Sequence, residues 1–312
     1  MSDLTVTFLN CEHFYEPGQV GGKGPQTEAD FDQKRDAIAG LLRNVAENTP
    51  PDKIGLCEMG SRKVAEELGQ AIQPSFYQIH FLPAQDGCRL PQGLAILYNP
   101  DRVLLQRYES GLHQANAPQR PYWVAGLFKV QDGEGGVFWF VVNHWKSNFG
   151  MDLSESESKR IDAAKMFADH HRSSGKLFSD AVIMAGDFNC EPWELPFRSP
   201  GTFFKAVRER GLVTRPGNDS VYFHNLMWRW LGEPDDLESS HTDGYVSPRP
   251  RGTFRSDALK RDMNWKVWDH FLVSKSVLSR TGLIRLQESK LHTVFPGDGC
   301  TDHGAISVKV SV

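Results

Sequence analysis

The chain reads as a protein that mixes α-helices with β-strands on mixed sheets. Two observations predict this. Helical and strand patterns alternate through the first half, and an almost unbroken apolar run, Ala181-Val182-Ile183-Met184-Ala185, ends in Gly186-Asp187-Phe188-Asn189. A run without polar alternation is the pattern of a strand buried on both faces. Residues i and i+2 of a strand share a face, so Asp187 and Asn189 would project together from its end. Polar groups placed there are costly unless they hold something. The competing reading is a turn closed by an Asx bond.

The elements follow in order. Leu4–Leu9 is a strand ending at Asn10. Thr27 can cap a helix with Asp30 at its acidic third position. Phe31, Ile38, Leu41, Leu42 and Val45 then recur at helical spacing, up to Pro50-Pro51. Ile54–Cys57 is a strand ending at Glu58, and Ser61 can cap a second helix to about Ile72. Strands follow near Phe76–Leu82, Gly93–Tyr98, Val103–Tyr108 and Tyr122–Val130. Asp132–Gly136 has hairpin-turn composition. Val137–Val142 ends in Asn143-His144-Trp145-Lys146-Ser147, and Ser154–Glu157 opens a third helix through about His171. Val267–Ser274 contains Asp269 and His270, and Thr301-Asp302-His303 precedes an apolar run.

The stretch 191–266 differs. Seven prolines, Pro192, Pro196, Pro200, Pro216, Pro234, Pro248 and Pro250, interrupt it, and its apolar runs are short. Long irregular segments in compact domains are functional or disordered. We read it as an elaborated active-site flank with a helix near 202–210. Arg249, Arg251 and Arg255 are candidates for a local basic wall that would attract a polyanion.

Composition bounds the function. The 312 residues carry a net charge of −4, which argues against a broad non-specific DNA clamp but leaves room for a local basic groove. Five cysteines, Cys11, Cys57, Cys88, Cys190 and Cys300, form no CxxC pair, so they are read as small buried residues and not as a disulfide framework. The start of the chain lacks a signal-peptide pattern, and no apolar stretch reaches membrane-spanning length. A cytoplasmic protein is the expectation.

Glu58, Asp187, Asn189, Asn10 and Asp302 are hard oxygen donors, the kind Mg²⁺ takes alongside substrate phosphate. The ordered set of strand-end motifs from Asn10 to His303 resembles the endonuclease/exonuclease/phosphatase superfamily, over nearly the whole chain. That resemblance implies a single domain over 1–312. Its fold would be a deoxyribonuclease-like α/β (α+β) sandwich of two packed mixed β-sheets flanked by outer helices. It implies Mg²⁺ or Mn²⁺ held by Asn10, Glu58 and Asp302, and catalysis by His144, Asp187, Asn189, Asp269 and His303. Asp187 would orient or deprotonate the attacking water, and Asn189 would donate to a phosphoryl oxygen. His303, oriented by Asp269, would activate the water or hold the phosphate. Arg120 and Lys146 would grip phosphate. Asn143–Ser147 is similar to the Asn-His-Leu-Lys-Ser stretch of nuclease-like members, so nucleic acid is the expected substrate, with no cofactor nucleotide. A phospholipid or small phosphoester is the alternative, and an inactive binding module on the same fold is a third reading.

Departures from the resemblance are also expected to matter. Some nucleases of the group place Arg two residues after the metal-binding Glu, where this chain has Gly60. His13, His224, His241 and His270 are read as ordinary, His170-His171 as a solvated helix face. Trp145 and Trp193, which adjoin motifs, are the candidates for stacking on a base.

Overall fold

The computed structural model describes residues 3–112, 120–131, 135–147, 152–174, 181–214, 221–231, 253–255, 265–279, 283–294 and 300–312. The first half runs β1 (Asp3–Phe14), α1 (Glu28–Val45), β2 (Lys53–Met59), α2 (Arg62–Ile72), β3 (Gln78–Leu82), β4 (Gly93–Tyr98), β5 (Val103–Leu112), β6 (Pro121–Val130) and β7 (Val137–His144). Next come α3 (Leu153–Ser174), β8 (Ala181–Asp187), β9 (Phe204–Val207), α4 (Arg210–Thr214), β10 (Val221–Asn225), β11 (Phe254–Arg255) and β12 (Trp265–Lys266). The chain closes with β13 (Asp269–Val273), α5 (Lys275–Leu278), β14 (Arg285–Val294) and β15 (Ala305–Ser311).

Six strands form one mixed sheet in the order β14-β15-β1-β2-β4-β3, and seven form another in the order β5-β6-β7-β8-β13-β10-β9. The sheets pack face to face. Val6, Phe8 and Ile96 from the first meet Phe140, Val142 and Ile183 from the second in one buried cluster. Each outer face is covered by helices. Ile38 and Leu42 of α1 and Leu68 of α2 pack on Leu9, Leu56 and Ala95. Ala164 and Phe167 of α3 pack on Val141, Val182 and Met184. The expected sandwich with outer helices is therefore present. Among the described residues, no helix is long and apolar enough to cross a membrane.

Local chemistry accounts for the elements. Thr27 and Asp30 close a reciprocal capping box on α1, which satisfies donors the first turn leaves open. The Ser61 side chain accepts from Val64 N–H at 3.2 Å and starts α2. In β8, Ile183 and Ala185 face the inter-sheet core while Val182 and Met184 face α3. Both faces are buried, which is why the run shows no alternation.

Three expectations need correction, and one strand was missed. Residues 202–210 are not a helix: β9 occupies Phe204–Val207, and α4 begins only at Arg210. Phe204 and Ala206 are buried against the α3 face, so the short alternation there is that of an added strand. The stretch 191–266 is accordingly not all flank, since β9 and β10 extend the second sheet. Strand β14 was not foreseen. His171 is buried among Phe167 and Phe223, with burial lowering its pKa to about 2, and is not solvated. Arg249, Arg251, His241 and most of the Asp132–Gly136 turn lie outside the described residues, as does the Arg255 side chain.

Candidate active site

Strand parity delivers the functional side chains to one end of the inter-sheet space. Leu4, Val6 and Phe8 point inward, so Asn10 does too. The same parity carries Phe138, Phe140 and Val142 to His144, and Ala181, Ile183 and Ala185 to Asp187. Phe271 and Val273 set the inward face of Asp269. Glu58 breaks the rule. Ile54 and Leu56 face the helices, and a regular strand would send Glu58 outward with them. A register shift between Cys57 and Met59, with Glu58 at φ 60°, bulges the strand and turns the carboxylate inward.

The second sheet aligns three of these groups. Asp187 is the register partner of Asp269 in the antiparallel β8–β13 ladder and of His144 in the parallel β7–β8 ladder. Gly186 makes the latter possible. A Cβ there would stand 2.5 Å from Asn143 Cβ and 2.6 Å from its carbonyl oxygen.

Asp187 is the hub. Its Oδ2 accepts from Asn10 Nδ2 at 3.0 Å and from Asn189 Nδ2 at 2.9 Å, while Oδ1 accepts from the Asn189 N–H at 2.9 Å. Burial raises its pKa to about 7, with the charge of Asp269 adding to the effect and that of His303 opposing it. His303 Nδ1 lies 2.9 Å from Asp269 Oδ2, which leaves Nε2 facing Asn10 Nδ2 at 3.3 Å and Asp187 Oδ2 at 4.0 Å. Burial alone would lower the His303 pKa, but Asp269, then Asp187 and Asp302, hold it well above the ordinary value. Thr253 Oγ1 fixes this wall by accepting from Asp269 N–H at 2.8 Å and Trp268 N–H at 3.1 Å.

Glu58 sits on the other side. Its Oε2 accepts from the His13 backbone N–H at 3.0 Å and lies 2.8 Å from His13 Nδ1. Its Oε1 faces His144 Nε2 at 3.4 Å and Asn10 Nδ2 at 3.5 Å. Burial opposes its ionisation, but the His13 hydrogen bond and the charges of His144, His13 and Arg120 keep its pKa well below the carboxylate range. His144 Nε2 stands 3.4 Å from Arg120 Nη1 and 3.8 Å from Asp187 Oδ2. Arg120 is held by Gln92 Oε1 at 2.5 Å and the Trp145 carbonyl at 2.9 Å.

Nine of the ten predicted residues therefore interlock: Asn10, Glu58, Arg120, His144, Asp187, Asn189, Asp269, Asp302 and His303. Lys146 is half-buried just past β7, its pKa lowered by burial and then by Arg120, and no hydrogen bond described for its amine joins the cluster. Asn10 also has a second role beside the expected ligand one. Its Oδ1 accepts from Glu12 N–H at 2.9 Å, and its amide nitrogen is turned to Asp187. His13, read as ordinary, touches Glu58 directly. Its signal was adjacency to Asn10, three residues back, but nothing local announces the left-handed turn at Glu12 and His13 (φ 43° and 57°) that brings it round. Trp145 is fully buried among Phe188, Phe197 and Phe204, so it cannot stack on a base. Trp193 is 45% exposed and stays available.

The donor set suits a hard divalent ion. Asp187, Asp269 and His303 offer ligand atoms all within 4.8 Å of one another. Asp269 Oδ1 and Asp302 Oδ1 are buried without a hydrogen-bond partner, and burial raises Asp302 to about 6. Buried carboxylate oxygens left unpaired in this way favour a cation.

Comparisons with known proteins agree with this fold. A model of the Endonuclease/Exonuclease/phosphatase family matches residues 13–209. Among solved structures, the endonuclease/exonuclease/phosphatase of Bacteroides vulgatus superposes with a TM-score of 0.61 at 14% identity, covering 100% of both chains. The mannosyl-6-phosphatase of Bacteroides thetaiotaomicron gives 0.57 at 15% identity over 99% of this chain and 100% of its own. Zebrafish (D. rerio) TDP2, complexed with single-strand DNA product, gives 0.55 at 14% over 100% of both. At these identities the superpositions speak for the fold alone. No curated protein sequence matches the chain.

Proposed function

The chain belongs to the endonuclease/exonuclease/phosphatase family, whose members hydrolyse phosphoester bonds, and we propose that this one is a divalent-metal-dependent phosphodiesterase, specifically a nuclease. The observation that carries this reading is the convergence of Glu58, Asp187, Asn189, Asp269 and His303 from two sheets onto one buried polar centre. The metal, Mg²⁺ or Mn²⁺, supplies positive charge against the scissile phosphoryl group when bound. Glu58, Asp302 and the Asn10 amide oxygen would hold it, while the Asn10 amide nitrogen orients Asp187.

Each side chain then has a task set by its partners. Asp187, poised near neutrality and fixed by two amides, takes the proton of the attacking water. Asn189 Nδ2 donates to Asp187 Oδ2 at 2.9 Å and, more loosely, to the Trp145 carbonyl at 3.3 Å; exchanging the longer bond would let it donate to a phosphoryl oxygen as charge develops there. His303, its Nδ1 committed to Asp269, presents Nε2–H to the phosphoryl group as a charged donor. Arg120 offers the guanidinium fork suited to phosphate. The resemblance of the Asn143–Ser147 stretch to nuclease-like members favours a nucleic-acid phosphodiester. The free cysteines suit a reducing, cytoplasmic setting.

A second reading, a small phosphoester such as a sugar phosphate, is favoured by the net charge of −4 and by the phosphatase neighbour. A substrate panel of plasmid, oligonucleotides, RNA, phospholipid and sugar phosphates, with Mg²⁺ or with chelator, separates the two. Metal-dependent cleavage of oligonucleotides is expected. Turnover of monoesters alone would replace the nuclease reading, and full activity in chelator would remove the metal.

A further inference from the structure

Five side chains are arranged around Glu58. His13 Nδ1 lies 2.8 Å from Glu58 Oε2 and 2.9 Å from the Tyr15 hydroxyl. Gln92 is close enough to Tyr15 to lower the hydroxyl pKa that burial raises, and its Oε1 accepts from Arg120 Nη1 at 2.5 Å. Arg120 Nη1 and Glu58 Oε1 then both approach His144 Nε2, each at 3.4 Å. Tyr15, Gln92, Glu58 and His144 are all buried. A carboxylate cannot donate, so the His13 nitrogen that faces Glu58 carries the hydrogen.

We propose that His13, Tyr15 and Gln92 are positioning residues that lock Glu58 and Arg120 in fixed relation. This rests on the metal-dependent reading of the site above. His13 takes Glu58 Oε2 from both its ring and its backbone, so only Oε1 remains to face the reaction centre. Gln92 takes one Arg120 nitrogen, and the Trp145 carbonyl takes the other. The two groups that would meet metal and phosphate are thereby each held from behind, with the buried Tyr15 between their supports.

The chain makes room for this belt at Gly60. A Cβ there would stand 2.8 Å from Tyr15 Cα and 2.6 Å from Gln19 Oε1, and Gly60 N–H donates to the Phe14 carbonyl at 2.9 Å. The position where some nucleases of the family carry an arginine is occupied here by the backbone of the belt. A side chain at 60 and Tyr15 in its present place exclude each other.

Direct binding of Mn²⁺, read by the paramagnetic resonance signal of the free ion, tests the proposal without turnover. His13→Ala should weaken Mn²⁺ binding about 10-fold, the low end for a partner that orients a metal ligand. His13→Asn should restore most of it, because Asn tolerates the left-handed backbone and places an amide N–H near the lost ring nitrogen. Gln92→Ala should act on the other end and raise KM about 10-fold while kcat changes little. Melting in chelator should match the wild type for His13→Asn and Gln92→Ala; if His13→Ala melts early, Tyr15→Phe replaces it and should weaken Mn²⁺ binding 3-fold or more. Wild-type Mn²⁺ affinity in both His13→Ala and Tyr15→Phe overturns the belt and leaves the functional reading standing. A wild-type protein that binds no Mn²⁺ overturns the functional reading, and the belt with it.

Discussion

Asp269 grips His303 with one carboxylate oxygen, 2.9 Å from Nδ1, and keeps the other buried without a hydrogen bond. The pair therefore acts as one unit. Asp269→Asn and His303→Ala should each lower kcat by roughly 10²–10⁴-fold. The double variant should lie within a few-fold of the worse single one, since each change breaks the same contact. Steady-state kinetics on the four proteins of the cycle decide it, and multiplicative losses would show that the two residues act separately.

Metal should also be visible as stability. Glu58, Asp187, Asp269 and Asp302 crowd one end of the sandwich, and two of their oxygens lack hydrogen bonds. A ligand at about 100 times its Kd stabilises by about 2.7 kcal/mol. Mg²⁺ at that excess should raise Tm by roughly 5 °C over chelated protein, and Asp302→Asn should reduce the rise. Scanning calorimetry with and without Mg²⁺ makes the comparison; a Tm indifferent to the ion would deny it a site here.

Gly186 and Gly40 predict opposite outcomes for the same substitution. At Gly186 a methyl group meets the Asn143 backbone, so Gly186→Ala must push β7 away from β8 and should cost about 1–3 kcal/mol. At Gly40, inside α1, a Cβ meets nothing within 4 Å. Gly40→Ala should stabilise by about 0.5–1 kcal/mol. Urea unfolding of the two variants gives both signs.

Lys53 is fully buried at the start of β2, its amine against the ring of Phe128 and without a hydrogen-bond partner. Burial, opposed weakly by Asp52, lowers its pKa well below 10.5. A lowered folded pKa means that the unfolded chain binds more protons, so this residue's penalty is largest at low pH and fades as pH rises toward 10.5. Lys53→Met should stabilise by about 1–3 kcal/mol near pH 7. The advantage over wild type should shrink between pH 7 and pH 10. An advantage that is constant with pH would show that the lysine is not the titrating group.

Thr253 ties its segment to the wall of the candidate site. Its hydroxyl accepts from two buried N–H groups, Trp268 and Asp269, and its carbonyl accepts from Gly304 N–H at 2.7 Å, next to His303. Thr253→Val strands both donors and should destabilise by about 1–3 kcal/mol, with kcat falling more than KM changes. Thr253→Ser keeps the hydroxyl and should retain most activity.

Asn10, His144 and Asp187 were legible in the sequence because each continues the inward parity of its strand, which period-two reading captures. Glu58 was found by its place in an ordered motif set, whereas its direction depends on a bulge that no periodicity shows. His13 reaches Glu58 through a left-handed turn, Thr253 reaches Asp269 across a long excursion, and β9 was mistaken for helix because four residues are too few to establish a period. Each miss concerns a contact made by tertiary packing and not by local propensity.

Strands β1 and β15 are hydrogen-bonded neighbours, from Asp3 opposite Ser311 to Phe8 opposite Ile306. Asn10 comes at the end of the first and His303 just before the second. A polypeptide emerging from the ribosome holds Asn10, Glu58 and Asp187 long before His303 is made. The candidate centre cannot assemble before His303 has been made, so a product that terminates upstream of that residue lacks the Asp269–His303 pair altogether.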